Sequence, residues 1–261
     1  MNKPRPTIVL ADSAALVALA FVFFLAQDPK LGYDDTPIIP GTEWHVHDGM
    51  RPQPKVIVAP PIGAPSDALV LFDGSNMEEW DKSWKIVDDY MEVNGKGSIT
   101  TKRSFGDCQL HLEFATPVEV KGAGQGRGNS GIHFMGAFEI QILDSFENQT
   151  YPDGQCGSLY GQCPPLVNVS REPGEWQSYD IVFKAPQYDG EELKRAASAT
   201  VFQNGVCVHA EREFIGLTRH RDVAQYTGTK TTGPIGLQDH GNPMRFRNIW
   251  VRPLGSYDSA D

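Results

Sequence analysis

"GNSGIHFMGAFEIQILDS", residues 128–145, contains two short runs in which polar and apolar side chains trade places at every second position. In Ser130–Met135, residues Ser130, Ile132 and Phe134 share one side, while Asn129, Gly131, His133 and Met135 share the other. In Phe138–Leu143, residues Phe138, Ile140 and Ile142 oppose Glu139, Gln141 and Leu143. A period of two is that of a β-strand, so each run predicts a strand with one apolar and one mostly polar face.

The same pattern recurs on both sides of this stretch. It predicts strands at Leu69–Phe72, Trp84–Val87, Tyr90–Val93, Ser98–Thr101, Cys108–Phe114, Gln177–Lys184, Ala199–Gln203, Val206–Glu211, Gly233–Gln238 and Met244–Arg252. "VNGKG" and "QNGV" are hairpin-turn signals, because Asn-Gly supplies positive φ. A weak helical period touches only Ser75–Trp80. About a dozen short strands with turns between them predict an all-β fold, a β-sandwich or jelly roll of antiparallel sheets. No linker interrupts residues 68–254, so a single domain is expected there.

Composition agrees. The 261 residues include 26 Gly and 19 Pro, which suits many turns. A net charge of −10 argues against a nucleic-acid partner, whose phosphates need a basic surface. There is no Gly-rich phosphate loop, CxxC pair or internal repeat. Lys3 and Arg5 precede a short apolar run, Ser13–Ala26. Residues 1–26 therefore predict a secretory signal and an exported, periplasmic or extracellular protein. Asp12 and Phe24 suit an ideal cleavable signal poorly, so the alternative is an uncleaved N-terminal anchor, the one membrane association expected. Residues 27–67 are a Pro/Gly-rich arm, and 255–261 a short tail. "WHVHDG" in the arm brings together His45, His47 and Asp48, with no visible further partner for a metal. Of four cysteines, Cys156 and Cys163 bracket "GSLYGQ" and are a disulfide candidate, whereas Cys108 and Cys207 lie in strand-like stretches.

The polar faces point toward function. "DCQLHLEFA" puts Gln109, His111 and Glu113 opposite an apolar row, and "GPIGLQDHG" offers Gln238 and His240. A solvated face usually mixes Lys, Thr and Glu; Gln, His, Glu and Asn have hydrogen-bonding ends that suit hydroxyl groups.

"LVLFDGSNMEEW", "FGDCQLHLEFATP", "GNSGIHFMGAFEIQILDS", "GEWQSYDIVFKAP", "FQNGVCVH" and "GPIGLQDHGNPMRFRNIWVRPL" occur in that order. Over roughly Ala68–Leu254 the chain resembles the 3-keto-disaccharide hydrolase family. The resemblance implies a concanavalin A-like jelly roll, akin in architecture to β-glucanases and legume lectins. It also implies action on a glycoside or oligosaccharide already oxidised at carbon 3.

A ketone there makes the hydrogen on carbon 2 acidic, and the glycosidic oxygen then lies β to the carbonyl. Removal of that hydrogen expels the oxygen, and water adds later. Such a site needs a base, donors for the enolate oxygen and an acid for the leaving group. It needs no pair of carboxylates, and Gln141 occupies the place where a glucanase strand would carry a second acid, although Glu113 or Asp144 remain as alternatives. Expected catalytic residues are Glu139, His133 and His240, with Glu139 or His133 as base. Expected substrate contacts are Asn129, Gln141, Gln238, Arg247, Glu113 and His111; Tyr160 and Trp176 offer stacking rings, with packing at a strand start the favoured alternative for Trp176. Arg247 and Arg245 lie on a strand and have the alternative of pairing with a surface acid. No cofactor is expected, though a divalent ion held by Glu139, His133, His240 and Glu113 stays open. The competing functions are a non-catalytic glycan-binding module using the same face, and a structural envelope domain.

Overall fold

The computed structural model describes residues 31–258. The expected signal or anchor at 1–26 lies outside the described residues, as do the last three of the tail. The described strands are β1 (Leu69–Phe72), β2 (Lys85–Val87), β3 (Tyr90–Glu92), β4 (Ile99–Phe105), β5 (Cys108–Ala115), β6 (Asn129–Phe134), β7 (Phe138–Leu143), β8 (Gln177–Lys184), β9 (Gln187–Asp189), β10 (Glu192–Arg195), β11 (Ser198–Gln203), β12 (Val206–Glu213), β13 (Gly233–Leu237) and β14 (Arg245–Pro253). They build a jelly-roll sandwich. The larger sheet runs β12-β11-β8-β5-β14-β3-β2, with β1 also on β14, and the smaller runs β4-β13-β6-β7. Every pair is antiparallel.

Alternation explains why these two sheets face each other. Leu110, Leu112 and Phe114 of β5 and Tyr179, Ile181 and Phe183 of β8 are fully buried, as are Ile132 of β6 and Ile140 and Ile142 of β7. Phe134 of the smaller sheet stacks on Phe183 of the larger, with ring centroids 4.4 Å apart. Each such aromatic contributes on the order of 2–3 kcal/mol by leaving water. The core therefore uses one row of each strand and leaves the other row on an outer face.

The turn between β6 and β7 is short: Phe134 pairs with Phe138, and Met135 and Gly136 take positive φ values of 57° and 66°. "QNGV" makes the expected hairpin between β11 and β12, with Asn204 and Gly205 both at positive φ. "VNGKG" does not make one. It leads from β3, in the larger sheet, to β4, in the smaller, because β3 already has β2 and β14 as neighbours. Ser75–Trp80 is not helical either. Asp73 and Asn76 accept hydrogen bonds from the amides of Ser75 and Glu78, which compete with a helical turn. The hairpin β9–β10 was not expected from sequence.

The Cys156–Cys163 bridge is also absent; both residues are free thiols. Cys156 points into the core, with its sulfur 3.1 Å from the Tyr179 hydroxyl, whereas the Cys163 thiol lies by the Pro164 carbonyl. The loop between them is closed by reciprocal backbone hydrogen bonds of Leu159 and Cys163 instead.

Residues 31–54 form a separate small unit, folded back through bridges at Gly32–Asp48 and Ile38–His45. Within it the Asp48 carboxylate accepts from the amides of His45 and Met50, and the His45 ring meets the Thr36 carbonyl. The three residues of "WHVHDG" are thus engaged locally, and no group of three His, Cys, Asp or Glu among the described residues is arranged to hold a metal ion.

Candidate active site

The outer face of the smaller sheet is the floor of a cavity of about 440 Å³. Seven of the expected residues line it: Asn129 and His133 from β6, Glu139 and Gln141 from β7, Gln238 and His240 from just beyond β13, and Tyr160 from a loop. Strand register puts them in rows. His133 stands opposite Glu139, and Gly131 opposite Gln141. The Gln238 amide donates to the Gly131 carbonyl, which carries β13's alignment past the end of the strand.

Gly131 makes room for that packing. A Cβ there would lie 2.3 Å from Glu139 Oε1, so the carboxylate lies over the bare Cα. Glu139 is 5% exposed, and no arginine among the described residues pairs with it. Its one titratable partner among the described residues is His133, whose Nε2 lies 3.6 Å from Oε1. Burial pushes the Glu139 carboxyl up to about 7 and pulls the His133 imidazole down to about 4. Both shifts favour the neutral forms. Glu139 is the one carboxylate lining this cavity among the described residues.

Beside it lies a cluster of amides. Gln125 Oε1 accepts from Gln141 Nε2 at 3.0 Å, and the Gln125 carbonyl accepts from Asn129 Nδ2 at 2.9 Å. Both amide nitrogens are thus turned toward Gln125, and Asn129 Oδ1 and Gln141 Oε1 are buried without hydrogen-bond partners. A buried acceptor without a partner is costly.

The walls come from loops. The segment 157–160 runs along the free edge of β7: the Gln141 amide donates to Ser158, and the amides of Gly157 and Tyr160 donate to Gln141 and Glu139. Leu159 pairs with Ile140 and points into the core, so Tyr160 stands opposite Glu139 and faces the cavity. Thr218 accepts from the Glu139 amide and donates its own amide to the Ala137 carbonyl. Gln125, Tyr151, Thr218 and His220 were missed by sequence reasoning, because loop residues carry no alternation. Tyr160 had been expected only as a stacking ring. The signal that was present is Gly154, whose missing Cβ gives room to the Tyr151 ring and the Gln125 amide.

Three expected contacts lie elsewhere. Arg247, Glu113 and His111 stand on the outer face of the larger sheet, on β14 and β5. Arg247 Nε donates to Glu113 at 2.7 Å, and its guanidinium covers the Trp176 ring at 4.1 Å. His111 pairs with Asp180 at 2.7 Å and stacks on Trp250. A sandwich has two outer faces, and alternation separates inside from outside without saying which outer face a strand serves. Trp176 is likewise removed from the cavity, and the four-residue metal set is broken because Glu113 is on the other sheet. Asp144 is buried in an ion pair with Arg127, at 2.6 Å, so it supplies no second acid.

Comparison with known proteins agrees with the fold. A 3-keto-disaccharide hydrolase of Bacteroides thetaiotaomicron is 23% identical over an alignment of 257 residues, covering 71% of this chain and 78% of its own. A crystal structure of a candidate glycosyl hydrolase from Parabacteroides distasonis is 38% identical, with TM-score 0.76, over 83% of this chain and 100% of that one. A second candidate glycosyl hydrolase from that organism is 26% identical, with TM-score 0.52, over 72% of this chain and 99% of its own. Residues 67–252 match the family described as the 3-keto-alpha-glucoside-1,2-lyase-like domain, and the chain belongs to that family.

Proposed function

We propose that the protein cleaves the glycosidic bond of 3-keto-glycosides by removing the proton on carbon 2 and eliminating the group on carbon 1. The observation that carries this is the lone cavity carboxyl, Glu139, buried and raised to about 7. A double-displacement glycosidase needs two carboxylates about 5 Å apart, and an inverting one needs two somewhat further apart. One carboxylate suffices when the substrate already carries a ketone. A base with a pKa near neutrality combines useful ionisation with useful basicity.

Glu139 is then the base. His133, neutral at physiological pH, and His240 donate to the enolate oxygen that forms at carbon 3. Asn129, Gln141 and Gln238, which line the cavity, offer amide groups to sugar hydroxyls. The basic start at Lys3 and Arg5 and the apolar run at 13–26 support action outside the cytoplasm, which cell fractionation would test.

The test is to offer a chromogenic 3-keto-glucoside beside the unoxidised glucoside. Turnover of the keto form alone, with a loss of about 1,000-fold in Glu139→Gln, is expected. Sugar binding without turnover of either would instead identify a glycan-binding module, and a fully active Glu139→Gln would remove Glu139 from the base role.

A further inference from the structure

A second cavity, of about 610 Å³, adjoins the first and shares Tyr151, Tyr160 and His220 with it. Those three side chains are linked: the Tyr160 hydroxyl lies 2.9 Å from that of Tyr151 and 3.2 Å from His220 Nδ1. Beyond them the second cavity is lined by Asp153, Asp222, Arg219 and Arg221. Two acids and two arginines cancel in charge, and their several donors and acceptors suit neutral hydroxyls rather than an ionic group, while the rings of Tyr151 and Tyr160 offer apolar surface to a sugar face.

We propose that this second cavity holds the leaving group, a neutral sugar or similar polyol, and that Tyr160 donates the proton taken up by the departing glycosidic oxygen. The inference rests on the elimination chemistry proposed above. Its geometry is that of the sheet edge: Tyr160 pairs opposite Glu139 and faces the same way, so a bond broken between the two cavities lies between base and phenol. Burial raises the Tyr160 phenol above its ordinary value, which keeps it protonated at neutral pH.

The step balances as follows. Glu139 takes the hydrogen from carbon 2, and its electron pair moves into the enolate of the ketone. The enolate re-forms the carbonyl, a double bond joins carbons 1 and 2, and the bond from carbon 1 to oxygen breaks with its pair on oxygen. That oxygen takes the Tyr160 proton and leaves as an alcohol. The phenolate recovers a proton from solvent through His220, and Glu139 returns its own to solvent.

Two keto substrates separate the outcomes. A 4-nitrophenyl leaving group departs as a stable anion, whereas the alcohol of a 3-keto-disaccharide needs a proton. Tyr160→Phe is expected to lose at least about 100-fold in kcat/KM on the disaccharide and less than about 5-fold on the nitrophenyl substrate. Exchange of the carbon-2 hydrogen in deuterated water should persist. His220→Gln, on an exposed loop, should give the same split at smaller size, which guards against a Tyr160 variant that folds poorly. Equal losses on both substrates, or no loss on either, would overturn the role of Tyr160. Failure of the wild-type protein to turn over either keto substrate would instead overturn the underlying reaction.

Discussion

Gly131→Ala isolates the placement of Glu139 from its chemistry. The added Cβ would lie 2.3 Å from Glu139 Oε1, 3.0 Å from Cδ and 3.2 Å from Cγ. An ordinary contact needs about 3.5 Å, so the carboxylate has to retreat by about 1 Å. Gly131 shares the cavity face of β6 with His133, so the new Cβ displaces the carboxylate from its seat on the cavity floor. A misplacement of that size costs about 100-fold, or about 2.7 kcal/mol of barrier. The fold should survive. Residue 131 sits within β6 with no positive φ, and replacing Gly by Ala where the backbone allows it stabilises by about 0.4–1 kcal/mol, which offsets part of the clash. The assay is kcat/KM on a 3-keto-glucoside beside a thermal melt. A variant that keeps activity within about 3-fold of wild type would refute the argument that Gly131 is reserved for the carboxylate.

Stability and activity should move in opposite directions through the same pH window. The folded Glu139 carboxyl titrates at about 7 against an ordinary 4.5, so its contribution is full below 4.5 and lost as pH rises through 7. Melts of Glu139→Gln beside wild type should therefore favour the variant by about 3 kcal/mol more at pH 8 than at pH 4, while wild-type kcat/KM climbs through pH 7; a constant difference would sink the assignment. Arg247→Ala should lower stability by about 1 kcal/mol, through loss of Glu113 and the Trp176 ring, and leave kcat/KM within about 2-fold. A large activity loss there would return that face to the site. Alkylation under denaturing conditions without reductant, read by mass spectrometry, should find all four cysteines as thiols. A bridged Cys156 would contradict its packing against Tyr179.

Most of the sandwich was legible because burial imposes a period of two. Where one face of a strand meets the core, as in β5, β6 and β7, apolar residues alternate and the strand is visible. The hairpin β9–β10 escaped because Gln187–Arg195 packs little: Tyr188 and Leu193 are its only sizeable apolar residues, and both are only partly buried. The site divided along the same line. The strand residues His133, Glu139 and Gln141 were readable from register. Gln125, Tyr151 and His220 were not, since loops approach the cavity through chain geometry with no repeating pattern. Glu113 and Arg247 show the converse limit: a hydrogen-bonding polar row looks alike whether it meets a ligand or another side chain.

The segment 157–160 also seals the smaller sheet. β7 is its last strand, and an open strand edge invites pairing with another molecule. The backbone groups of Gly157, Ser158 and Tyr160 occupy that edge at Glu139 and Gln141. Cover for the β7 edge and one wall of the cavity therefore rest on the same few hydrogen bonds. Attempts to widen the cavity by lengthening this loop would expose an adhesive edge, so changes of specificity are better sought at 219–223, which carries no such duty.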